Sequence, residues 1–244
     1  MPIHAPRLPT SVPWLNVERP LTQEELLGRL VILDFWTYCC INCLHTLPVL
    51  ARLEARFSKE PVVFIGVHSP KFHNERDETM VREAVRRYGV THPVIVDDGR
   101  RIWSEYAVKA WPTLVVVDPF GNVLGDAPGE PQLDVFDNMI RTILAGYRAR
   151  DIGLATEPLP LRPEAGEAGA LAYPTKLVAG RDRLYVSDAG HNQIVELEPR
   201  AQGPLREVRR FGTGRADHDD GFEPAFDHPQ GLALDEGAGV LWVA

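Results

Sequence analysis

Cysteine is scarce in this sequence, and its placement is more informative than its number. The 244 residues contain three cysteines, and all of them fall between positions 39 and 43. A small secreted domain held together by disulfide bonds has its cysteines spread along the chain, because each bond joins distant segments. The sequence therefore predicts a cytoplasmic protein whose cysteines carry out chemistry rather than hold the fold together.

Excess positive charge, long apolar runs and an apolar leader are missing as well. Lysine and arginine number 26 against 34 aspartate and glutamate, which gives a formal net charge of -8. Nucleic-acid-binding surfaces are basic, so no nucleic-acid partner is predicted. No apolar run approaches the roughly 20 residues of a membrane-spanning helix, so no membrane partner is predicted. Residues 1–7 lack the apolar segment of a secretory signal, and we expect none.

The cysteines that are present form a Cys-x-x-Cys motif, Cys40-Ile41-Asn42-Cys43, directly after Cys39. An apolar run at 30–33 precedes the motif and a helical pattern follows it, so the motif joins a buried strand to a helix. A cysteine at the start of a helix lies near free backbone N–H groups and the positive end of the helix dipole, which favour a thiolate. The spacing alone is ambiguous, because half of a zinc site has the same pattern.

Three further features surround the motif. Asp34 lies in the strand six residues before Cys40, Pro48 lies inside the following helix, and Trp111-Pro112-Thr113 precedes another apolar run. Together with the motif, these residues resemble the thioredoxin fold over roughly the first 150 positions of the chain.

The resemblance implies a role for each matching residue. Cys40 would be the attacking nucleophile, Cys43 the thiol that resolves the mixed disulfide, and Asp34 the buried acid that takes the proton of Cys43. Pro112 would be cis and would shape the groove in which an extended substrate pairs with the backbone. Cys39 and the Ile-Asn pair replace parts of the family's usual Trp-Cys-Gly-Pro-Cys, so the family's redox potential does not carry over.

Apolar patterns in the first part of the chain alternate between strand and helix, which indicates an α/β sheet. The predicted elements are a short capped helix at 22–28, strands at 30–36, 61–67 and 93–96, helices at 43–57, 75–88, 102–106 and 133–148, and a hairpin at 113–124. The proline-rich residues 1–20 are predicted to lie on the surface. The segment 72–101 is extra relative to a minimal thioredoxin and resembles the insertion of the peroxiredoxin-like and TlpA-like branches.

The pattern changes after residue 150. Residues 151–172 are rich in proline, glycine and glutamate and are predicted to form an exposed linker. Short strands follow at 176–179, 184–188, 193–197 and 206–210, and the pattern of 173–187 then begins again at 228–244. A repeating set of four short strands indicates the blades of an all-β propeller.

Within this second part, residues 184–197 resemble an NHL repeat, and the whole chain resembles the thioredoxin-domain NHL-repeat protein family. The resemblance implies a thioredoxin-like domain at 1–150, a linker at 151–172, and a first blade with part of a second at 173–244. It also implies that this chain is the truncated form of a longer protein, and that its propeller can bind a protein partner.

Each candidate residue also has a plainer interpretation. Cys40 and Cys43 could be buried structural thiols, and Asp34 an ordinary acid, although a carboxyl group in an apolar strand should have a raised pKa. Cys39 could simply pack, or could form a mixed disulfide or resolve a sulfenic acid. It cannot readily bond to Cys40, because adjacent Cα atoms are ~3.8 Å apart, closer than an ordinary disulfide allows.

Trp36 and Trp111 are predicted to belong partly to the core and partly to the rim of the thiol groove. A zinc site is disfavoured, because there is no second Cys-x-x-Cys and His45 would point away from the cysteines. No metal and no organic cofactor are therefore predicted. The charged segment 75–87 is interpreted as a solvated helix face.

These observations predict thiol–disulfide exchange on protein thiols or disulfides. The alternative is a scaffold or redox sensor, in which the propeller binds partners and the thioredoxin-like domain has no catalytic role. The intact Cys-x-x-Cys favours the enzyme, whereas the replaced Gly-Pro pair and the attached propeller favour the scaffold. A resemblance in fold does not decide between them.

Overall fold

The computed structural model describes residues 2–164 and 169–244, and the chain divides near residue 165 into two compact units. The first unit is a thioredoxin-like α/β fold. Its elements in chain order are β1 (Ile3–His4), β2 (Trp14–Leu15), α1 (Gln23–Leu26), β3 (Leu30–Trp36), α2 (Ile41–Arg56), β4 (Val62–His68), α3 (Glu78–Arg87), β5 (Val94–Val96), α4 (Arg101–Glu105), β6 (Thr113–Val117), β7 (Asn122–Pro128) and α5 (Leu133–Arg148).

One seven-stranded sheet, in the order β1-β7-β6-β3-β4-β5-β2, organises this unit. Strands β3, β4 and β5 are parallel to one another, and β6 runs antiparallel to β3. The predicted alternation of strand and helix is confirmed. Strand β3 is buried along its whole length, which explains why it reads as a continuous apolar run interrupted by Asp34.

Alternate residues of β3 enter cores on opposite faces of the sheet. Val31, Leu33 and Phe35 pack with residues of α1 and α4, whereas Leu30 and Ile32 pack with residues of α2 and α5. Further along the second face, Trp36 packs with Cys43 and Leu47 of α2 and with two valines of α3. Because Asp34 shares the parity of Ile32 and Trp36, its side chain lies on the face that α2 covers.

The N-terminal segment is not confined to the surface, and that prediction was wrong. Strand β1 pairs with β7 at one edge of the sheet, and β2 pairs with β5 at the other. Leu15 is fully buried and Trp14 nearly so. Two-residue strands between prolines are too short to show a strand period, so the sequence pattern did not reveal them.

The first part of the predicted linker lies against the first unit. The backbone N–H of Ala155 donates to the carbonyl of Gly28 at 2.9 Å, and that of Arg162 donates to the carbonyl of Asn16 at 2.9 Å. Leu161 also forms a bridge with Val17. Residues 165–168 of that linker lie outside the described residues. The observed division therefore falls later than the predicted boundary at 150, because these contacts hold the proline-rich segment in place.

The second unit consists of short antiparallel strands, as predicted. They are β8 (Pro174–Ala179), β9 (Leu184–Asp188), β10 (Gln193–Glu198), β11 (Arg206–Phe211), β12 (Leu232–Asp235) and β13 (Val240–Val243). Strands β8 to β11 form one four-stranded sheet, and β12 and β13 form a separate hairpin. In the ranges that the structure describes, no helix has the length and apolar character needed to cross a membrane.

Candidate redox site

The two thiols of the motif have different environments. Cys40 is the N-cap residue of α2 and is partly exposed, whereas Cys43 lies in the first turn of the helix and is fully buried. The Cys40 Sγ lies 3.9 Å from the carbonyl oxygen of Trp111. Burial raises the pKa of the Cys43 thiol, and Cys40 and Asp34 raise it further. Cys40 is therefore accessible to a partner, whereas Cys43 is buried and keeps its proton at neutral pH.

Asp34 lies beneath α2 with 1% of its surface exposed. Burial raises its pKa to about 7, an effect that His92 opposes and Glu54 reinforces. Neither carboxyl oxygen has a hydrogen-bond partner among the residues described. A carboxyl with this pKa can both accept and release a proton near neutral pH, which is the property required of an acid–base group.

Trp111 and Pro112 form the wall that faces Cys40. Their peptide bond is cis, which confirms the prediction. Pro112 is buried, and Trp111 is partly exposed, stacked on Trp103 with ring centroids 4.1 Å apart. The indole N–H of Trp111 donates to the carbonyl of Ser69 at 2.9 Å, which fixes the ring.

Trp36 does not contribute to this wall. Its side chain is fully buried and makes an edge contact with the ring of His68, at 5.3 Å between centroids. Its predicted place at the rim of the groove was wrong, because its parity on β3 directs it into the core under α2. His68 is also buried, which lowers its pKa to about 4, so its ring is neutral at pH 7.

Glu75 is a site residue that the sequence pattern missed. The charge pattern predicts a solvated helix face for Glu75, and that prediction is wrong, because Glu75 lies in a 3-10 turn before α3 and is fully buried. Its carboxylate accepts hydrogen bonds from the Thr37 hydroxyl, from the backbone N–H of Cys39 at 3.0 Å, and from those of Lys71 and Phe72 at 2.7 Å each. Burial alone would raise the pKa of Glu75, but these hydrogen bonds outweigh it and hold the pKa below its usual value.

Glu75 also contributes to the pKa of the third cysteine, Cys39. Cys39 is exposed, yet burial of its sulfur, together with its hydrogen bond and charge interaction with Glu75, raises its pKa to about 11. Cys39 therefore stays a thiol at neutral pH. Of the two interpretations left open for Cys39, reactivity is opposed by this raised pKa, to which burial contributes most and Glu75 adds.

The zinc site considered for the cysteines and His45 can be compared with the structure. Within residues 2–164 and 169–244, no group of three or more His, Cys, Asp or Glu side chains is arranged to hold a metal ion. His45 is exposed and lies 3.2 Å from Glu130 instead of facing the cysteines.

Taken together, the geometry suits a two-thiol exchange. Cys40 is accessible at a helix start, Cys43 is buried in the first turn of the same helix, and Asp34 is buried in β3 with a pKa of about 7. Such an arrangement can form a bond with a foreign sulfur at Cys40 and then release it by forming the internal Cys40–Cys43 disulfide.

Comparison with known proteins places this arrangement in context. Residues 28–123 match the family described as thioredoxin-like. The chain is similar to Protein SUPPRESSOR OF QUENCHING 1, chloroplastic, of Arabidopsis thaliana, with 38% identity over 98% of this chain and 23% of that protein. It is similar to NHL repeat-containing protein 2 of Gallus gallus, with 37% identity over 98% of this chain and 33% of that protein. The chain thus spans about a quarter to a third of the length of these relatives.

Two further similarities cover smaller parts of the chain. Thiol-disulfide oxidoreductase ResA of Halalkalibacterium halodurans is 29% identical over 41% of this chain and 54% of that protein. The crystal structure of a thiol-disulfide isomerase from Corynebacterium glutamicum matches 58% of this chain and 97% of its own, with a TM-score of 0.52 and 23% identity. At that identity the structural match supports the fold alone.

Proposed function

Because this chain belongs to the thioredoxin-like proteins that carry NHL repeats, we propose that its first unit exchanges thiols and disulfides with protein substrates. One observation carries the proposal: an accessible Cys40 at a helix start, a buried Cys43 behind it, and a buried Asp34 whose pKa is about 7. The similarity to an oxidoreductase, ResA, supports the same chemistry.

The proposed reaction has two steps, written here for reduction of a substrate disulfide. The Cys40 thiolate attacks one substrate sulfur, a mixed disulfide forms, and the other substrate sulfur leaves as a thiolate. Cys43 then transfers its proton to Asp34 and attacks the Cys40 sulfur, which releases the second substrate thiolate and leaves a Cys40–Cys43 disulfide. The substrate gains two electrons and the cysteine pair loses two. The reverse sequence oxidises a dithiol.

Substrate binding is proposed for the wall opposite Cys40. Trp111 offers a partly exposed ring and a backbone carbonyl 3.9 Å from the Cys40 Sγ, and the cis bond to Pro112 sets the direction of this backbone, so an extended peptide can pair there. Arg100, whose guanidinium lies 5.8 Å from the centre of the Trp111 ring, adds a positive charge at this wall. The clustering of the cysteines supports the further proposal of a reducing, cytoplasmic location.

Trapping experiments test the reaction. A Cys43→Ser variant should accumulate mixed disulfides through Cys40, because the resolving thiol is gone, and a Cys40→Ser variant should accumulate few. Each variant is made with and without Cys39→Ala, so that the neighbouring thiol cannot account for the adducts. Non-reducing gels and mass spectrometry of the adducts give the measurement. Equal, background trapping by both variants would leave the scaffold as the better account.

The second unit supports a second proposal, that it binds a protein partner. Its relatives include a protein named for its NHL repeats, and its first four strands form one antiparallel sheet. A chain that ends at residue 164 should lose partners recovered with the 244-residue chain while keeping its thiol chemistry.

A further inference from the structure

Asp97 is a buried acidic residue that the proposed reaction does not use. It follows β5 directly and is 3% exposed, and Ser69 follows β4 in the same way and is fully buried. Because β4 and β5 are parallel neighbours with His68 opposite Val96, Ser69 and Asp97 come next at the same edge of the sheet. The Ser69 hydroxyl donates to Oδ2 of Asp97 at 3.0 Å, which joins the two strand ends.

Asp97 also holds the start of α4. The backbone N–H groups of Ile102 and Trp103 donate to its two carboxyl oxygens at 3.0 and 2.9 Å. The first N–H groups of a helix have no partner inside the helix, so they need an acceptor from elsewhere. The side chain of Arg100, the N-cap residue, makes no capping hydrogen bond within the described part of the chain. Asp97 therefore caps α4 from outside and ties the helix to the end of β4.

The two segments that Asp97 joins are the two supports of the Trp111 ring. The indole N–H of Trp111 donates to the carbonyl of Ser69 at 2.9 Å. The same ring stacks on Trp103, with centroids 4.1 Å apart and planes inclined by 29°. Because one carboxyl group binds both Ser69 and Trp103, the orientation of the Trp111 ring depends on Asp97.

The backbone of Trp111 is held separately from its ring. Two hydrogen bonds of 2.8 Å fix the chain on either side, from the Thr113 hydroxyl to the Ala110 carbonyl and from the Gly129 N–H to the Pro112 carbonyl. Neither of these bonds involves Asp97. Loss of the Asp97 carboxyl should therefore free the Trp111 ring and leave in place the Trp111 carbonyl that lies 3.9 Å from the Cys40 Sγ.

We propose that Asp97 is a positioning residue for the thiol exchange, which acts through Ser69 and Trp103 to fix the Trp111 ring as the surface on which a peptide substrate packs beside Cys40. The inference rests on the proposed exchange function and deepens it, because it assigns substrate binding to a group outside the groove. Without Asp97 the ring has several orientations, and a peptide must order it on binding, which weakens the complex. The environment of the two thiols stays the same, so their own reactivity does not change.

Hydrogen exchange at the indole N–H of Trp111 tests the positioning without any substrate. In reduced protein labelled with ¹⁵N at tryptophan, NMR measures exchange with water, and a Trp111→Phe variant identifies the signal. Asp97→Ala should accelerate this exchange about tenfold, because the bond to the Ser69 carbonyl is no longer held in place. The indole N–H of Trp14, which donates to the carbonyl of Pro9 at 2.9 Å, is the matched control and should not change. Unchanged exchange at Trp111 would overturn the proposal.

Single-turnover kinetics separate peptide binding from thiol chemistry. Reduced protein is mixed with an excess of an oxidised peptide disulfide, and formation of the Cys40–Cys43 disulfide is followed by acid quench and mass spectrometry. Asp97→Ala should raise the half-saturating peptide concentration about tenfold, with an unchanged limiting rate. Asp97→Asn, whose amide oxygen still accepts a backbone N–H, should recover most of the loss, and the exposed Asp98→Ala should match the wild type. Alkylation of Cys40 by iodoacetamide that slows as much as the peptide reaction would contradict the proposal.

A double-mutant cycle distinguishes positioning from a general loosening of the fold. In a Trp111→Ala background, Asp97→Ala should not raise the half-saturating peptide concentration further, because the ring that it positions is absent. Equal effects of Asp97→Ala in both backgrounds would count against the proposal. Urea unfolding verifies that each variant is folded.

Two remaining outcomes have defined readings. If Asp97→Ala does not fold, Ser69→Ala removes only the hydroxyl bond to Asp97 and should accelerate exchange at the Trp111 indole roughly two- to threefold. No acceleration in that variant would overturn the positioning role. If the wild-type protein reacts with no peptide disulfide at all, the exchange function itself fails, and hydrogen exchange alone then decides whether Asp97 positions the Trp111 ring.

Discussion

At the scale of single residues, the buried carboxyl group of Asp34 lowers the stability of the fold at the pH values at which it is ionised. Its pKa is about 7 in the folded protein against an ordinary value of 3.8. Between those two values the folded state holds a proton that the unfolded state has released, so stability falls as pH rises through this window and is constant above it. The difference amounts to on the order of 4 kcal/mol above neutral pH.

Replacement of this carboxyl by an amide should remove that dependence. Asp34→Asn should be more stable than the wild type at pH 8 by up to roughly that amount, and the two should converge below pH ~4. Urea unfolding of the reduced proteins at several pH values measures the difference. Asp98→Asn, at an exposed position, is the control. A wild-type stability that does not change between pH 4 and pH 8 would contradict the assigned pKa.

Cys39 provides a second prediction at this scale. In a Cys40→Ser, Cys43→Ser background it is the sole thiol of the sequence. Its pKa is about 11, so its alkylation rate should still be rising at pH ~10 despite its exposure. Addition of Glu75→Gln should lower that pKa and accelerate alkylation at pH 8 severalfold. Mass spectrometry of iodoacetamide adducts against time measures the rates, and a plateau near pH ~8.5 would contradict the assignment.

At the scale of elements, Glu75 joins the loop before α2 to the segment before α3. It holds the backbone of Cys39 on one side and those of Lys71 and Phe72 on the other. Glu75→Ala should destabilise the first unit by about 3 kcal/mol, because several hydrogen bonds to a charged group are lost together. Hydrogen exchange should accelerate at these three amides, while the amides of β3 and β6 stay protected. Glu105→Ala should change neither quantity.

The sequence predicted those helices and strands whose own residues show a recognisable pattern of apolar positions. Strand β3 is buried on both faces and α5 follows the helical repeat, so local composition was sufficient to place them. Strands β1 and β2 have two residues each, and their existence depends on partners such as Val123 and Ile95 more than 80 positions away. No local pattern encodes pairings of that kind.

The difference between local patterns and long-range contacts also explains which site residues the sequence revealed. Cys40, Cys43 and Asp34 lie within ten positions of one another, so their motif was readable, and Pro112 was recognisable from its flanking residues. Glu75 belongs to the site only through contacts with Thr37 and Cys39, 36 or more positions earlier in the chain. Glu75 accepts from the backbone N–H of Phe72, three residues before it, but Phe72 has no side-chain acceptor to complete a capping box, so the sequence carried no recognisable signal.

At the scale of the whole molecule, the contacts of residues 154–164 extend the first unit beyond the predicted boundary. Leu154 and Leu159 pack against its two main cores, and Leu161 pairs with Val17. A chain ending at residue 150 should therefore be less stable than one ending at residue 164, by about 2 kcal/mol, because two partly buried leucines lose their contacts. Urea denaturation of both fragments measures the difference, and equal stabilities would place the boundary at 150.

The attachment of Glu164 has a mechanical consequence. Its backbone N–H donates to the side chain of Asn16 at 2.8 Å, and its carboxylate binds Arg82 and Arg86 of α3. A pulling force applied to the chain beyond residue 164 therefore acts first on the contacts of Glu164 with Asn16, Arg82 and Arg86. The Asn16 and Glu164 contacts must break before such a force can pull residues 154–163 away from the first unit, so the load falls on Asn16 and α3 and not on α2, which carries the two cysteines.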